Sequence, residues 1–280
     1  MDSRYITAAH IMARHGRERV KVVDDDISPL YFTQDEHTHW LNTFKDKMPQ
    51  DIPPYRRGEN IMKIINRTLA GPVLAQTAFA QRSLKTAVLL GAKQYILLDA
   101  GYGTFPYRQP DWAQKLQIFE TNPLDIAMDK QARLTRAAIP VPDNVNYVYA
   151  DIKRQGWPDL LVNNPCFDRK KVSFVDMGTL AQHTDKAYFA RLLQRLADIL
   201  PAGSSVVLGY STADYACDTG EDIPWGEMEK LIAGSGFLIY EQLEKEDVEQ
   251  QLFYRYNLAN IRNPLKAPQD VNYILAVKKG

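Results

Sequence analysis

From position 94 onward, short apolar runs alternate with longer amphipathic stretches. The runs Tyr95–Leu98, Leu116–Phe119, Asn146–Ala150, Ser173–Met177, Ser205–Tyr210, Gly236–Tyr240 and Asn272–Val277 are seven strand candidates. Most lack polar alternation, the pattern of strands covered on both faces. Between them lie helix signatures. Thr184 is placed to cap a segment carrying Phe189, Leu192, Leu193, Leu196 and Leu200 on one stripe, with Pro201 ending it. Asp222 and Pro224 open another, with Trp225, Met228, Leu231 and Ile232 inward and Gly234 at its close. The alternation predicts an α/β fold: a doubly wound, mainly parallel seven-stranded sheet.

The chain before Gln94 reads differently. Residues 1–75 show no strand alternation, and turn signals fall at Ser28-Pro29, Pro53-Pro54 and Gly71-Pro72. They predict an N-terminal helical cap over 1–75, ahead of an α/β domain over 76–280. Ala78–Leu90 reads as a helix with Ala80, Leu84, Ala87 and Val88 on one face, stopped at Gly91. Residues 242–271 separate the last two strands by more than a tight turn needs, which suits a lid or an oligomer contact. A chain of 280 residues is near the upper size of a single hydrophobic core, so one elaborated α/β domain is expected.

Thirty-four basic residues balance thirty-four acidic ones, which leaves no long-range field for nucleic acid or an anionic membrane. Cys166 and Cys217 are too few and too far apart for a disulfide framework or a thiolate metal site; a reducing compartment and a role as small hydrophobes are expected. The first fifteen residues lack the apolar core of a secretory signal, and the long uncharged stretch Ile199–Ala213 falls short of a bilayer span. A soluble cytoplasmic protein is expected.

Candidate chemistry concentrates where the first strand ends. Asp99 follows the apolar run Tyr95–Leu98 and leads into Gly101-Tyr102-Gly103. Glycines at such a turn reach conformations closed to other residues and leave no side chain between main chain and ligand. Glu120 ends the next apolar run about twenty residues on, where a nucleotide-binding sheet places the carboxylate that grips ribose hydroxyls. A nucleotide-like cofactor is the expectation. A dinucleotide fingerprint would need a third glycine three residues after Gly103, where Pro106 stands, which disfavours a nicotinamide-dependent oxidoreductase.

The loop Asp99-Ala100-Gly101-Tyr102-Gly103-Thr104-Phe105-Pro106-Tyr107-Arg108, with Arg82 on the preceding helix, Glu120-Thr121-Asn122, Lys130 and a third strand ending at Asp151, resembles the leucine carboxyl methyltransferase family. The likeness extends to its bacterial branch around polyketide O-methylation, spans residues 75–215, and is strongest between Arg82 and Asp151. It implies a class I methyltransferase fold whose last strand, Asn272–Val277, runs antiparallel, and S-adenosylmethionine as cofactor. It implies O-methylation of a small molecule or an exposed carboxyl or hydroxyl group. The implied cofactor shell is Arg82 on the methionyl carboxylate, Asp99 on the amine, Gly101 and Gly103 as main-chain cradle, Glu120 on the ribose and Asp151 near the adenine, with Arg108 and Lys130 as lesser candidates.

The family's Glu-Gly and Tyr-Leu signature is only loosely matched by Asp176-Met177-Gly178 through Gln182-His183. A carboxylate acceptor, with a reference pKa of about 4, is already ionised at neutral pH, whereas a phenol near 10 must lose a proton at a cost of about 4 kcal/mol. Asp176 and His183 are the candidate bases for the second case. A non-enzymatic cofactor-binding descendant is the other class of reading.

Three features read as decoys. Asn164-Pro165-Cys166-Phe167 lacks the second proline of the loop found in amino-group methyltransferases and precedes the fourth strand. His37-x-His39 reads as an exposed polar turn or helix start, because residues two apart on a helix diverge and a zinc site would need a further ligand. Asp24-Asp25-Asp26 reads as a solvated acidic turn without calcium-loop spacing. No metal is expected.

Overall fold

A computed structural model describes residues 3–51, 60–152, 156–211 and 225–280. The chain opens with helices α1 (Ser3–His15), α2 (Gln34–Asp51), α3 (Ile61–Ile65) and α4 (Gly71–Leu89). Then follow β1 (Gln94–Leu97), β2 (Gln117–Asn122), α5 (Leu124–Arg136), β3 (Val145–Tyr149), α6 (Trp157–Val162) and β4 (Ser173–Asp176). The last third contains α7 (Lys186–Ile199), β5 (Ser205–Ser211), α8 (Trp225–Gly234), β6 (Phe237–Leu243), α9 (Lys245–Asp247), α10 (Tyr254–Ala259) and β7 (Val271–Lys278).

The seven strands form one sheet in the order β3-β2-β1-β4-β5-β7-β6. The first five pair in parallel, while β7 runs antiparallel to both β5 and β6. β1 is buried at every position because it is covered on both faces. One face packs on α6, α7 and α8 through Trp157, Leu161, Phe189, Leu193, Leu196, Met228 and Ile232. The other packs on α4 and the segment after β6 through Leu74, Phe79, Leu84, Phe253 and Tyr256. Strand order reverses beside β1, whose neighbours are β2 and β4. That switch point opens a crevice at the strands' carboxyl ends, the usual ligand position in sheets of this kind.

Local chemistry moves some expected boundaries. The N-cap of α7 is Asp185, whose carboxylate accepts from the Tyr188 amide at 2.6 Å, while the Thr184 hydroxyl bonds back to Leu180. Gly71-Pro72 is not a turn: the chain is already helical over Asn66–Ala70, and Pro72 follows this π-helical stretch in the first turn of α4 without an N–H to continue the ladder. α4 therefore begins seven residues before Ala78; it ends at Leu89, and Gly91 just beyond it turns the chain with a φ of +109° that is open to glycine. Pro53-Pro54, Cys217, Asp222 and Pro224 lie outside the described residues. Cys166 is exposed rather than packed as a small hydrophobe. No helix among the described residues is long and apolar enough to cross a membrane.

Candidate active site

The β1 exit is a tightly held turn. The Asp99 amide donates to Thr121 Oγ1 at 3.0 Å, which supports a left-handed φ of +57° that ordinary residues avoid. Gly101 follows at φ +51°, and Asn122 brackets it, accepting from its amide at 2.7 Å and donating to its carbonyl at 3.3 Å. Side chains at the end of β2 thus shape the turn at the end of β1. Gly101 is required for space as well: a Cβ there would lie 2.8 Å from the Tyr5 ring, which rests on the turn while its hydroxyl donates to Asp99. At Gly103 a Cβ would approach the Ala100 carbonyl to 3.1 Å.

A cleft of about 260 Å³ runs from this turn to the end of β4, walled by α1 and α4. Asp99, Gly101, Gly103, Asp176 and His183 line it, as do Tyr5 and Met12 from α1 and Gln76 and Thr77 from α4. Asp176 accepts from the Gly178 amide at 2.9 Å and from the Tyr95 hydroxyl at 3.2 Å. Burial pushes its carboxyl up to about 6 against the opposing pull of Gly178, Tyr95 and Gln76.

Glu120, Asp151 and Arg82 are not among the residues lining the cleft. Glu120 stands at the end of β2 as expected, but it is 1% exposed and fully engaged. Its Oε1 accepts from Lys130 Nζ at 2.7 Å and Asn122 Nδ2 at 3.0 Å, and its Oε2 from the Tyr107 hydroxyl at 2.8 Å. Burial lowers the Lys130 pKa while the Glu120 carboxylate raises it. Asp151 follows β3, half-buried, where its charge adds to burial in raising the Tyr188 phenol. Arg82 turns away from the cleft to the segment after β5, bonding Glu241 on β6 and Gln251.

Other residues enter unannounced. Asp25 is not a solvated turn residue: it is fully buried, accepting from the amides of Ile27 and Ser28 at 3.0 and 2.9 Å and from Thr104 Oγ1 at 2.6 Å. Arg108 pairs with it at 3.5 Å, and both line the cleft. The signal was Asp25 three residues before Ser28-Pro29, an arrangement in which a carboxylate caps a turn. His37 is buried rather than exposed, its Nδ1 3.2 Å from His10 Nδ1, though α2 does begin at Gln34. Gln76 had no sequence signal, because a lone glutamine on an alanine-rich helix looks like surface. Among the described residues no group of three or more His, Cys, Asp or Glu is placed to hold a metal.

A parallel sheet with an antiparallel last strand, a Gly-x-Gly turn after β1 and a cleft at the switch point define a class I methyltransferase-like fold. A protein from Thermobifida fusca YX that carries a methyltransferase name shares it over 98% of this chain and 95% of that one, at a TM-score of 0.60 and 13% identity. So does a duf574 family protein from Streptomyces avermitilis, over 97% of each chain at a TM-score of 0.59 and 12% identity. In sequence, the chain is 28% identical over 242 residues to YktD of Bacillus subtilis (strain 168), named for S-adenosyl-L-methionine-dependent methyl transfer. That match covers 79% of this chain and 77% of YktD. The leucine carboxyl methyltransferase family model matches residues 5–197, and the chain belongs to that family.

Membership assigns S-adenosylmethionine as the cofactor, and the main chain fits it at one end. Gly101 and Gly103 line the cleft with their main chain, and the Tyr5 ring rests on Gly101 while its hydroxyl donates to Asp99. At the other end Glu120 occupies the expected place with its oxygens already bonded, so a ribose diol reaches it only where Tyr107 yields.

Proposed function

We infer that this protein transfers the methyl group of S-adenosylmethionine to an oxygen atom of a small-molecule acceptor or of an exposed carboxyl or hydroxyl group. The observation that carries the reading is the continuity of one cleft from the Gly101–Gly103 rim to Asp176 and His183. The bound sulfonium supplies an already activated methyl group, so the chain's task is to align an acceptor, exclude water and, where needed, take a proton. Asp99 receives the amine, Gly101 and Gly103 give main-chain contact, and Glu120 and Asp151 serve the nucleoside. Arg82, held by Glu241, is left out of this shell. Residues 1–75 act as the acceptor-selecting cap, a role supported by the α1 side chains in the cleft wall.

Calorimetric titration with S-adenosylhomocysteine, with NAD as control, tests the cofactor half. Binding of the first and not the second is expected, with weaker binding by Glu120→Gln. A preference for NAD would overturn it. Incubation of cell extract with methyl-labelled donor tests the transfer. Labelled O-methyl product is expected; cofactor affinity without any labelled product would favour a non-catalytic binding module, and label on nitrogen would refute the oxygen acceptor.

A further inference from the structure

The end of the cleft at β4 brings together two polar side chains with hydrogen-bonding capacity to spare, Gln76 and Asp176. Gln76, 7% exposed and lining the cleft from α4, has neither its Nε2 nor its Oε1 in a hydrogen bond. Its amide nonetheless lies close enough to Asp176 to favour the carboxylate form. Burying an amide without a partner costs free energy that a leucine of similar size would not, so the position is unfavourable for folding alone. The sheet makes room for it. Gly209 on β5 lies beneath Gln76, and a Cβ there would sit 2.6 Å from Gln76 Oε1. Gly209 is at the middle of a strand, where glycine weakens the sheet and marks a close approach by another group.

Asp176 offers the complementary capacity. Its two hydrogen bonds come from neutral donors, Tyr95 and the Gly178 amide, and no salt bridge among the described residues includes it. Two arginines line the cleft, Arg4 on α1 and Arg108, which is paired with Asp25. At Asp176 itself an incoming carboxylate would meet a carboxylate, and like charges brought together in a cleft repel. A hydroxyl meets both partners it needs: an amide N–H to donate to its oxygen and a carboxylate to accept its proton.

We propose that Gln76 and Asp176 together receive the hydroxyl of a neutral acceptor, a phenol or alcohol, with Asp176 as the base; this rests on the methyl-transfer reading above. The acceptor's O–H bond breaks and its proton goes to Asp176, while its oxygen forms the new O–CH3 bond and the S–CH3 bond of the sulfonium breaks. The sulfur keeps that electron pair and leaves as a neutral thioether, and Asp176 then loses the proton to water. Despite the family's name, a carboxylate is the disfavoured acceptor here.

The test is ligand-observed NMR with phenol and benzoate on the full chain, in the presence of saturating S-adenosylhomocysteine. Phenol is expected to bind and benzoate to bind at least tenfold more weakly. Gln76→Leu and Asp176→Asn are each expected to weaken phenol at least tenfold, and Gly209→Ala, which displaces the amide without removing it, to do the same. A thermal melt separates this from a structural role: Gln76→Leu is expected to raise Tm by about 2–4 °C, since it relieves about one unsatisfied buried amide. Tighter binding of benzoate than phenol, or binding of neither, overturns the proposal. So does Gln76→Leu weakening S-adenosylhomocysteine with phenol unchanged, which would put the amide on the cofactor. Failure of the wild type to bind S-adenosylhomocysteine would instead sink the methyl-transfer reading, and the phenol comparison can still be made without it.

Discussion

At Asp176 the protein carries a cost that stability alone would remove. Its folded pKa of about 6 lies above the reference value of 3.8, so the folded state holds the proton more tightly than the unfolded chain. Between those two pH values stability falls as pH rises, and above the higher one the full penalty of the buried anion remains. Asp176→Asn removes it. The variant is expected to melt near wild type at pH 4 and to gain at pH 8, by up to roughly 3 kcal/mol. Thermal melts at the two pH values check this, and an equal gain at both would mean the carboxyl is not the source. Tyr107 supports a second expectation at this scale. Its hydroxyl holds Glu120 Oε2, and burial together with the Glu120 charge pushes that phenol far up, so it stays a neutral donor. Tyr107→Phe releases one carboxylate oxygen and is expected to tighten S-adenosylhomocysteine about fivefold, near the net worth of one hydrogen bond. Calorimetry on the two proteins decides it; weaker binding would make the phenol part of the cofactor site rather than its competitor.

Among elements, β2 and α5 are joined by the ion pair of Glu120 and Lys130, both essentially inaccessible to water. Lys130→Met leaves Glu120 charged and buried against the remaining neutral donors, which is expected to cost about 3–5 kcal/mol. Denaturant melts should show the double variant Lys130→Met, Glu120→Gln recovering most of that loss; no recovery would mean the lysine's packing, not its charge, is what matters. The same pair shows where sequence reading stops. Apolar runs revealed the seven strands, most directly the central β1, β4 and β5, where burial on both faces writes itself into consecutive residues, while β3 and β6 at the sheet edges are only partly buried. The Gly101 turn was legible because a left-handed φ and a close approach restrict residue type. Glu120 was legible as a position at a strand end, but its bonding to Lys130, Tyr107 and Asn122 depends on a loop and a helix that packing alone brings together. Arg82 and Gln76 illustrate the converse. They are six residues apart on α4 and so lie on different faces; only the tertiary arrangement says that Gln76 looks into the cleft and Arg82 to Glu241. Asp25, read as solvated from its acidic neighbours, is buried because Thr104 and Arg108 from the cofactor loop come to meet it.

On the scale of the whole molecule, the N-terminal helices are fastened onto the cofactor loop and α5 by polar contacts: Tyr5 to Asp99, Asp25 to Arg108 and Thr104, and Glu36 to Arg133 and Arg136. Against the opposing effect of burial, backbone donation from Thr33 with Arg133 and Arg136 holds Glu36 down to about 2, so the Glu36 ion pairs persist through mild acid. The α1–α2 junction does not share that tolerance. His10 stacks on Phe32 with ring centroids 3.9 Å apart and on Trp40 at 4.9 Å, with His37 as its polar partner. Burial, then the neighbouring His37 and Arg133, lower His10 to about 4 against the attraction of Glu36; burial, Arg17 and Arg14 lower His37. Both rings are neutral in the folded state near pH 7, one donating through Nδ1 and the other accepting. The unfolded chain takes up protons at the ordinary histidine value, above the folded one, so stability is lost as pH falls from 6.5 toward 4. His10 alone accounts for roughly 3 kcal/mol of that loss. Because α1 walls the cleft, the junction should loosen before the sheet does. Trp40 emission is expected to shift in this window while far-UV circular dichroism holds, and His10→Phe, which keeps the aromatic stack, should remove most of the shift. A shift that survives in His10→Phe would assign the acid sensitivity to another group, and a simultaneous loss of both signals would mean that cap and sheet unfold as one unit.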